Sequence, residues 1–253
     1  TSKKLYCDKK GIKYIHGIEM YLTAKLYHKK FEVKEGEIVE TPTKIKDNYH
    51  VILLAKNEKG IEEINQLVSI SSDAEHFYFK PRISFDEFFG ISDNVIKISA
   101  CVANPIWSIQ YQVNKMNLEY ETNKNELESL KKQLESLIAE QEQPVIRKKK
   151  KSEKEIQKQI AQIKIAIEAI EKSNEAIMQY IDELNSVYPN LLKTYDYYEV
   201  QPHMMDNQIA LNKQLIEYSK QYNKPLICGT DTHSLDDYMA ECRTILQEAK
   251  GIE

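Results

Sequence analysis

The stretch YYEVQPHMMDNQIALNKQLIEYSKQYNKPLICGTDTHS, residues 197–234, carries the pattern on which the fold turns. YYEVQ (197–201) reads as a strand, MDNQIALNKQLIEYSKQY (205–222) as a helix and PLICGT (225–230) as a buried strand, with a further helix in LDDYMAECRTILQEA (235–249). The first 110 or so residues alternate in the same way. Gly11 caps an opening helix and a strand is expected at Ile12–Ile15. YHVILLA (49–55) is a continuous apolar run, GIEEINQLVSISS (60–72) an amphipathic helix through Ile61, Ile64, Leu67 and Val68, and NVIKISA (94–100) another strand. Strands alternating with helices predict βαβ units in a parallel sheet or barrel. A helix and then a strand at the very start suggest that earlier elements are missing.

Between the two parts the period changes. Met116, Tyr120, Asn123, Leu127, Leu130, Leu134, Leu137 and Gln141 are spaced alternately by four and three. Ile156, Ile160, Ile163, Ile167, Ile170, Asn174, Ile177, Ile181 and Leu184 follow the same rhythm. These are two heptad helices, and Pro144 with the run RKKKKSEK lies between them. Folded back as an antiparallel coiled-coil hairpin, one register pairs Asn123 with Asn174, Leu with Ile in four other layers, and Met116, Tyr120 and Gln141 with Ile in the remaining three. A seam asparagine facing isoleucine loses hydrogen bonds, so the shared layer selects that register. The hairpin is expected to be about 39 Å long, from ~26 residues at ~1.5 Å each. The alternative is one long helix pairing between chains, against which Pro144 and the charges around it count.

The 253 residues fit one large domain or a domain with an insertion. A net charge of −4 selects no partner by itself, so any nucleic-acid contact needs a local patch. Arg147, Lys148, Lys149, Lys150 and Lys151, with Lys154, form such a run; it reads either as a contact to nucleic acid or a partner or as a solvated loop, and no aromatic residue is interleaved to stack on bases. Cys7, Cys101, Cys228 and Cys242 form no CxxC pair, and no signal peptide or long apolar span appears. A reducing, cytoplasmic setting without membrane attachment follows.

The chemistry-bearing residues gather at strand ends. In a strand, residues i and i+2 face the same way, so Asp231 and His233 at the end of PLICGT offer an oxygen and a nitrogen to one point. Such a pair is a metal-ligand donor set or a hydrogen-bonded pair at a strand end. Glu19 ends KYIHGIE, Cys101 ends VIKISAC, and YYEVQ delivers Gln201 and, just past it, His203. Cys101 alone also reads as a buried structural thiol. His50 precedes its strand, and the strand-end rule does not account for it; a capping or surface role is its simplest reading.

The blocks GIKYIHGIEMYL, YHVILLAKNEKGIEEINQLVS, FYFKPRISFDEF and IKISACVANPI, followed by residues 197–247, resemble in this order the PHP (polymerase and histidinol phosphatase) domain of bacterial DNA polymerase III alpha subunits. The resemblance covers roughly residues 10–110 and 195–250. It implies a distorted seven-stranded (βα) barrel, here incomplete at its N-terminus, carrying the coiled-coil hairpin as an insertion. The implied division is 1–111 and 189–253 for the barrel and 112–188 for the hairpin. The family's three-metal cluster has nine ligands, and the matching positions here are Glu19, His50, Cys101, Asp231 and His233. The family's opening H-x-H strand, an Asp after it and a D-H-G block are absent.

The implied cofactors are zinc-like divalent ions or manganese, up to three in the intact domain, and Lys80, Arg82 and His203 are candidate phosphate contacts. A salt bridge is the alternative for Lys80 and Arg82. Three readings follow. The first is a metal-dependent phosphoesterase module, including 3′–5′ exonuclease proofreading, within a DNA polymerase that engages DNA and other replisome subunits. The second is an inert structural or interaction module of that polymerase, and the third a free-standing PHP phosphatase. By itself the chain is expected to be inactive. The hairpin's partner is not implied by the family.

Overall fold

The structure, a computed structural model, describes residues 2–142 and 153–251. The elements run α1 (Ser2–Lys10), β1 (Gly17–Thr23), β2 (Tyr27–Lys34), β3 (Glu37–Lys44), β4 (Tyr49–Ala55), α2 (Glu58–Ser71), β5 (Arg82–Ser84), α3 (Phe85–Phe89), β6 (Val95–Ile98), α4 (Pro105–Glu142), α5 (Glu153–Thr194), β7 (Tyr198–Val200), α6 (Asp206–Tyr222), β8 (Leu226–Cys228) and α7 (Asp237–Ala249). This is a mixed α/β fold. The chain is expected to begin with a helix, and it does; Gly11, at φ 67, ends it. The next strand starts at Gly17 instead of Ile12. Ile12 and Ile15 stay more than half exposed with no partner strand. Gly17 lies so close to β4 that an added Cβ would sit 2.4 Å from a Leu54 methyl.

A four-stranded sheet has the order β5-β1-β4-β6. β1 pairs with β4 and β4 with β6 antiparallel, while β1 and β5 are parallel. This sheet is therefore mixed, not parallel throughout. The reason lies in the connection from β1 to β4, which is the hairpin β2–β3 and not a helical crossover, so the chain returns in the opposite direction. Glu35 (φ 52) and Gly36 (φ 86) make its turn, both left-handed as a two-residue hairpin loop requires. The alternation in YHKKFEVK and EIVETPTK on either side of Glu35-Gly36 is the signal for this hairpin. β7 and β8 form a parallel pair, joined to the main sheet through a bridge between Tyr197 and Ile98.

Strand period two divides the main sheet. Met20 and Leu22 of β1, with Val51 and Leu53 of β4, are at most 2% exposed and point to one face. That face is covered by Ile64 and Leu67 of α2, Phe85 and Phe88 of α3, Ile106 and Ile109 of α4, and Leu184, Leu191 and Leu192 of α5. Glu19, Tyr21 and His50 point to the other. β8 is not the buried strand its composition suggests, since Leu226 and Ile227 are both about 40% exposed. It pairs only with β7, and α7 buries no residue of its own.

Asn104 starts α4: its side chain accepts from the Trp107 N–H at 3.0 Å, with Pro105 next to it. α4 and α5 then pack side by side. Gln110 donates to Tyr188 (2.9 Å), Asn123 to Asn174 (2.9 Å), and Lys131 pairs with Glu171 (2.9 Å). As α4 advances its partners retreat along α5, so the two helices are antiparallel and the asparagines meet in one layer. The divisions expected at 111/112 and 188/189 fall inside these helices, which enter the body without a break. Pro144 and the basic run Arg147–Lys151 lie outside the described residues.

The helix pair joins the body through a buried polar knot. Tyr180 of α5 donates to Asp47 (2.8 Å), Tyr49 donates to Gln112 of α4, and Lys25 pairs with Glu183 beneath the Tyr180 ring. Burial raises the Asp47 carboxyl above its ordinary value, while the bond from Tyr180 and the nearby polar groups of Tyr49 and Gln112 pull it back. A second latch holds the loop before β5. His76 offers Nδ1 to Asp73 (2.7 Å) and Nε2 to Glu87 (2.9 Å), and only an imidazolium donates at both nitrogens.

Two expectations follow. Asn123→Ala leaves Asn174, only 9% exposed, without its partner. Urea unfolding should show a loss of about 1–2 kcal/mol, whereas an Asn123→Leu, Asn174→Leu pair should recover it and loosen the register. Burial lowers the His76 pKa, but Asp73 and Glu87 together raise it above 6.5. Its contribution is therefore complete below the unfolded value and lost as pH rises through the folded one. The stability gap between wild type and His76→Gln should shrink from pH 6 toward pH 8, and a constant gap would refute the latch.

Candidate metal centre

The β1–β4 register builds the first part of the site. Tyr21 lies directly opposite His50, and Glu19, two residues earlier, shares their face. His50 belongs to β4 itself, which corrects its expected place before the strand. Glu19 is likewise inside β1, not at its end. The Tyr21 ring meets the imidazole edge-on at 4.9 Å. Glu19 Oε1 is 3.2 Å from His50 Nδ1.

Cys101 arrives from the loop after β6, with its Sγ 3.7 Å from the same Nδ1. That loop is fixed from two sides. Asn104, fully buried, donates to the Cys101 carbonyl at 2.6 Å, and the His50 N–H donates to Ala103 O at 2.9 Å. Burial lowers the His50 pKa against the pull of Glu19, and burial raises the Cys101 thiol. Asp231 and His233 shift the His50 pKa in opposite senses, and Asp231 also raises that of Cys101, so both lie within electrostatic range of the cluster.

Asp231 and His233 reach it by a different route from the one their spacing suggests. β8 ends at Cys228, and the pair sits in the following loop with Asp231 at φ 45. His233 Nδ1 is 2.6 Å from the Asp231 carbonyl oxygen and 3.7 Å from its carboxylate. A left-handed turn, not the pleat of a strand, brings the two together.

Glu199 of β7 is a residue that the sequence reading passed over. It is 6% exposed, accepts from Gln201 Nε2 at 2.8 Å, and lies against Gly229, where a Cβ would come within 2.1 Å of its carboxylate. Burial raises its pKa, and Asp231 and Glu19 raise it further. Its signal was a carboxylate inside an apolar strand, YYEVQ. Gln201, expected to face the site, is buried as the partner of Glu199.

The phosphate candidates separate. Lys80 donates to the Tyr21 hydroxyl at 3.1 Å and lies over its ring at 4.2 Å, on the edge of the cluster. Arg82 is 1% exposed and spends its guanidinium on the carbonyls of Ile45, Asp47 and His76. It ties the β3–β4 and α2–β5 loops to β5 inside the body and presents nothing to a phosphate. His203 lies in the segment after β7, partly exposed.

Carboxylate, imidazole and thiol are the donor types of a zinc-like site. Tetrahedral ligation with bonds of about 2.0–2.3 Å separates N from O by about 3.3 Å and N from S by about 3.5 Å. The spacings about His50 fit that pairwise. Among the described residues, no three His, Cys, Asp or Glu side chains converge on one ligation point.

Comparison with known proteins bears on this arrangement. The PHP domain family matches residues 4–169, from α1 into α5. The chain is 41% identical over 98 residues to the DNA polymerase III subunit alpha of Borreliella burgdorferi, covering 39% of this chain and 8% of that protein. It is 23% identical over 237 residues to that of Aquifex aeolicus, covering 93% of this chain and 14% of the relative. For the Treponema pallidum subunit the identity is 29% over 118 residues, 47% of this chain and 9% of the relative. The matched stretches span only a small part of these relatives' lengths. The family match takes in β1, β4 and the Cys101 loop, the elements that gather Glu19, His50 and Cys101, and by it this chain belongs to the PHP domain family.

Proposed function

We propose that this chain is the PHP module of a bacterial replicative DNA polymerase alpha subunit, and that its cluster serves metal-dependent phosphoester hydrolysis, including 3′–5′ exonuclease action on DNA. The observation that carries this reading is the meeting of oxygen, nitrogen and sulfur donors about His50 Nδ1, at 3.2 and 3.7 Å. The strands and helices of the body are read as part of a distorted (βα)7 barrel, and α4–α5 as an inserted antiparallel coiled-coil arm over 112–188. DNA and other replisome subunits are the partners that fit this setting, in the cytoplasm. Among the described residues no helix is long and apolar enough to cross a membrane.

Glu19 and Cys101, each at ligation spacing from His50 though the three share no single ligation point, would with His50 supply the donors for a divalent ion, zinc-like or manganese, and Asp231 and His233 lie within electrostatic range of them. Such an ion, when bound, lowers the pKa of water for attack at phosphorus and neutralises charge on the leaving oxygen. Tyr21 fixes the imidazole plane through its edge contact. Lys80 places a cation beside the cluster, suited to a phosphate oxygen. Glu199 presses on Gly229 and so sets the start of the loop that carries Asp231.

A second reading, an inert scaffold for the polymerase, draws on the polar knot of Asp47, Tyr49, Gln112 and Tyr180, which anchors the arm to the body. Elemental analysis of the purified chain separates the two. Wild type should retain zinc or manganese after dialysis, His50→Ala should lose it and His233→Ala should hold it less tightly. Added zinc should raise the melting temperature of wild type and not of His50→Ala. If wild type and His50→Ala are equally free of metal, the hydrolytic reading fails and the scaffold stands.

A further inference from the structure

The loop between α2 and β5 contains the run His76-Phe77-Tyr78-Phe79-Lys80. Phe79 at its tip is 81% exposed, and its φ is 58. An exposed aromatic ring gives up the burial that would reward it. A left-handed backbone is costly for a bulky residue, and glycine or asparagine would sit there more easily. Two unfavourable features at one position serve no packing purpose.

The rest of the loop is held firmly. His76 is latched to Asp73 and Glu87, Lys44 Nζ donates to the carbonyls of Ala74 (2.6 Å) and Phe77 (3.0 Å), and Tyr78 N–H donates to Lys80 O (3.1 Å). The Tyr78 ring supports Phe79 edge-on at 4.7 Å, with the Arg82 guanidinium 5.4 Å from its centre on the inner side. What projects is the Phe79 ring, with the half-exposed Phe77 near it. Lys80 follows directly, and through Tyr21 the path leads to His50 at 4.9 Å. A platform, a cation and the donor cluster are therefore adjacent along one edge of the sheet.

We propose that Phe79 is a stacking platform for a nucleobase near the end of a single-stranded DNA, which it presents to the Glu19–His50–Cys101 cluster, with Lys80 beside the strand's phosphate. This rests on the hydrolytic reading above and names how its substrate is held. Aromatic rings interleaved with lysines are what single strands bind: bases stack irrespective of sequence, and the cations follow the backbone. Lys80, next to the exposed Phe79 and near Phe77, favours this over an uncharged protein surface, which would use the rings alone.

The test is fluorescence anisotropy with a labelled short single strand and with the same strand made abasic at its 3′ end, in EDTA. Wild type, Phe79→Ala and Phe79→Trp are compared. Phe79→Ala should bind the base-bearing strand roughly 5- to 100-fold more weakly, change little toward the abasic strand, and be rescued by tryptophan. Its melting temperature should not fall, since the ring is exposed. The proposal is overturned if wild type does not bind the strand, if Phe79→Ala binds it as wild type does, or if both strands lose affinity equally. Failure to bind in wild type would point to a protein partner for this loop. Because no metal is present, these outcomes are independent of zinc retention, which alone decides the hydrolytic reading.

Discussion

The antiparallel register of β1 and β4, with Tyr21 opposite His50, is the constraint on which both the core and the site depend. It directs Met20, Leu22, Val51 and Leu53 into the interior and Glu19, Tyr21 and His50 to the opposite face. A slip of β1 by one residue against β4 would turn Met20 and Leu22 outward and Glu19 and Tyr21 inward, away from His50. The core therefore enforces the register, and the register brings Glu19 to His50. The apolar contacts that stabilise the fold also position the donors.

The other donors depend on that pair through loops. Cys101 is held at His50 because Asn104 both caps α4 and grips the Cys101 carbonyl. The capping residue of the arm's first helix is thus also a positioning residue of the cluster. Asp231 and His233 hang from β8, a short and exposed strand with one partner. Their loop starts at Gly229, which must lack a Cβ because Glu199 fills that space. Glu19 and His50 rest on a packed sheet. Asp231 and His233 rest on few contacts, where local opening costs least.

The arm is bound to the body differently from its own two helices to each other. Along the pair α5 buries Ile156, Ile160 and Ala169 as well as Asn174, which meets Asn123. At the base the contacts are polar: Tyr180 to Asp47 and Tyr49 to Gln112 in the interior, with the half-exposed Lys25–Glu183 pair at their margin. Removing Tyr180 or Tyr49 leaves a buried partner unsatisfied, so such a joint fixes a direction more strongly than an apolar contact of equal area.

Much was legible in the residues. The heptads from Met116 and Ile156 specify two long helices, and Asn123 finds Asn174 because an asparagine on an apolar seam has no better partner. Continuous apolar runs located β4 and β6, and Asn57, as cap, starts α2 close to where its amphipathic period begins. Local chemistry of this kind belongs to a segment and survives without the rest of the chain. Direction and burial do not. The hairpin β2–β3 turned an expected parallel neighbour into an antiparallel one. PLICGT reads as buried yet lies exposed, because burial depends on what covers a strand. His50 came to lie against Glu19, Lys80 against Tyr21 and the overlooked Glu199 against Gly229, while Arg82 turned into the interior, through pairings between segments far apart in the chain. Most helices, several strands and the donor types are thus written in local sequence, although the β2–β3 hairpin was not read and Ile12–Ile15 forms no strand. Which donors meet is a tertiary property, since distance in space is set by the packing of all the elements together.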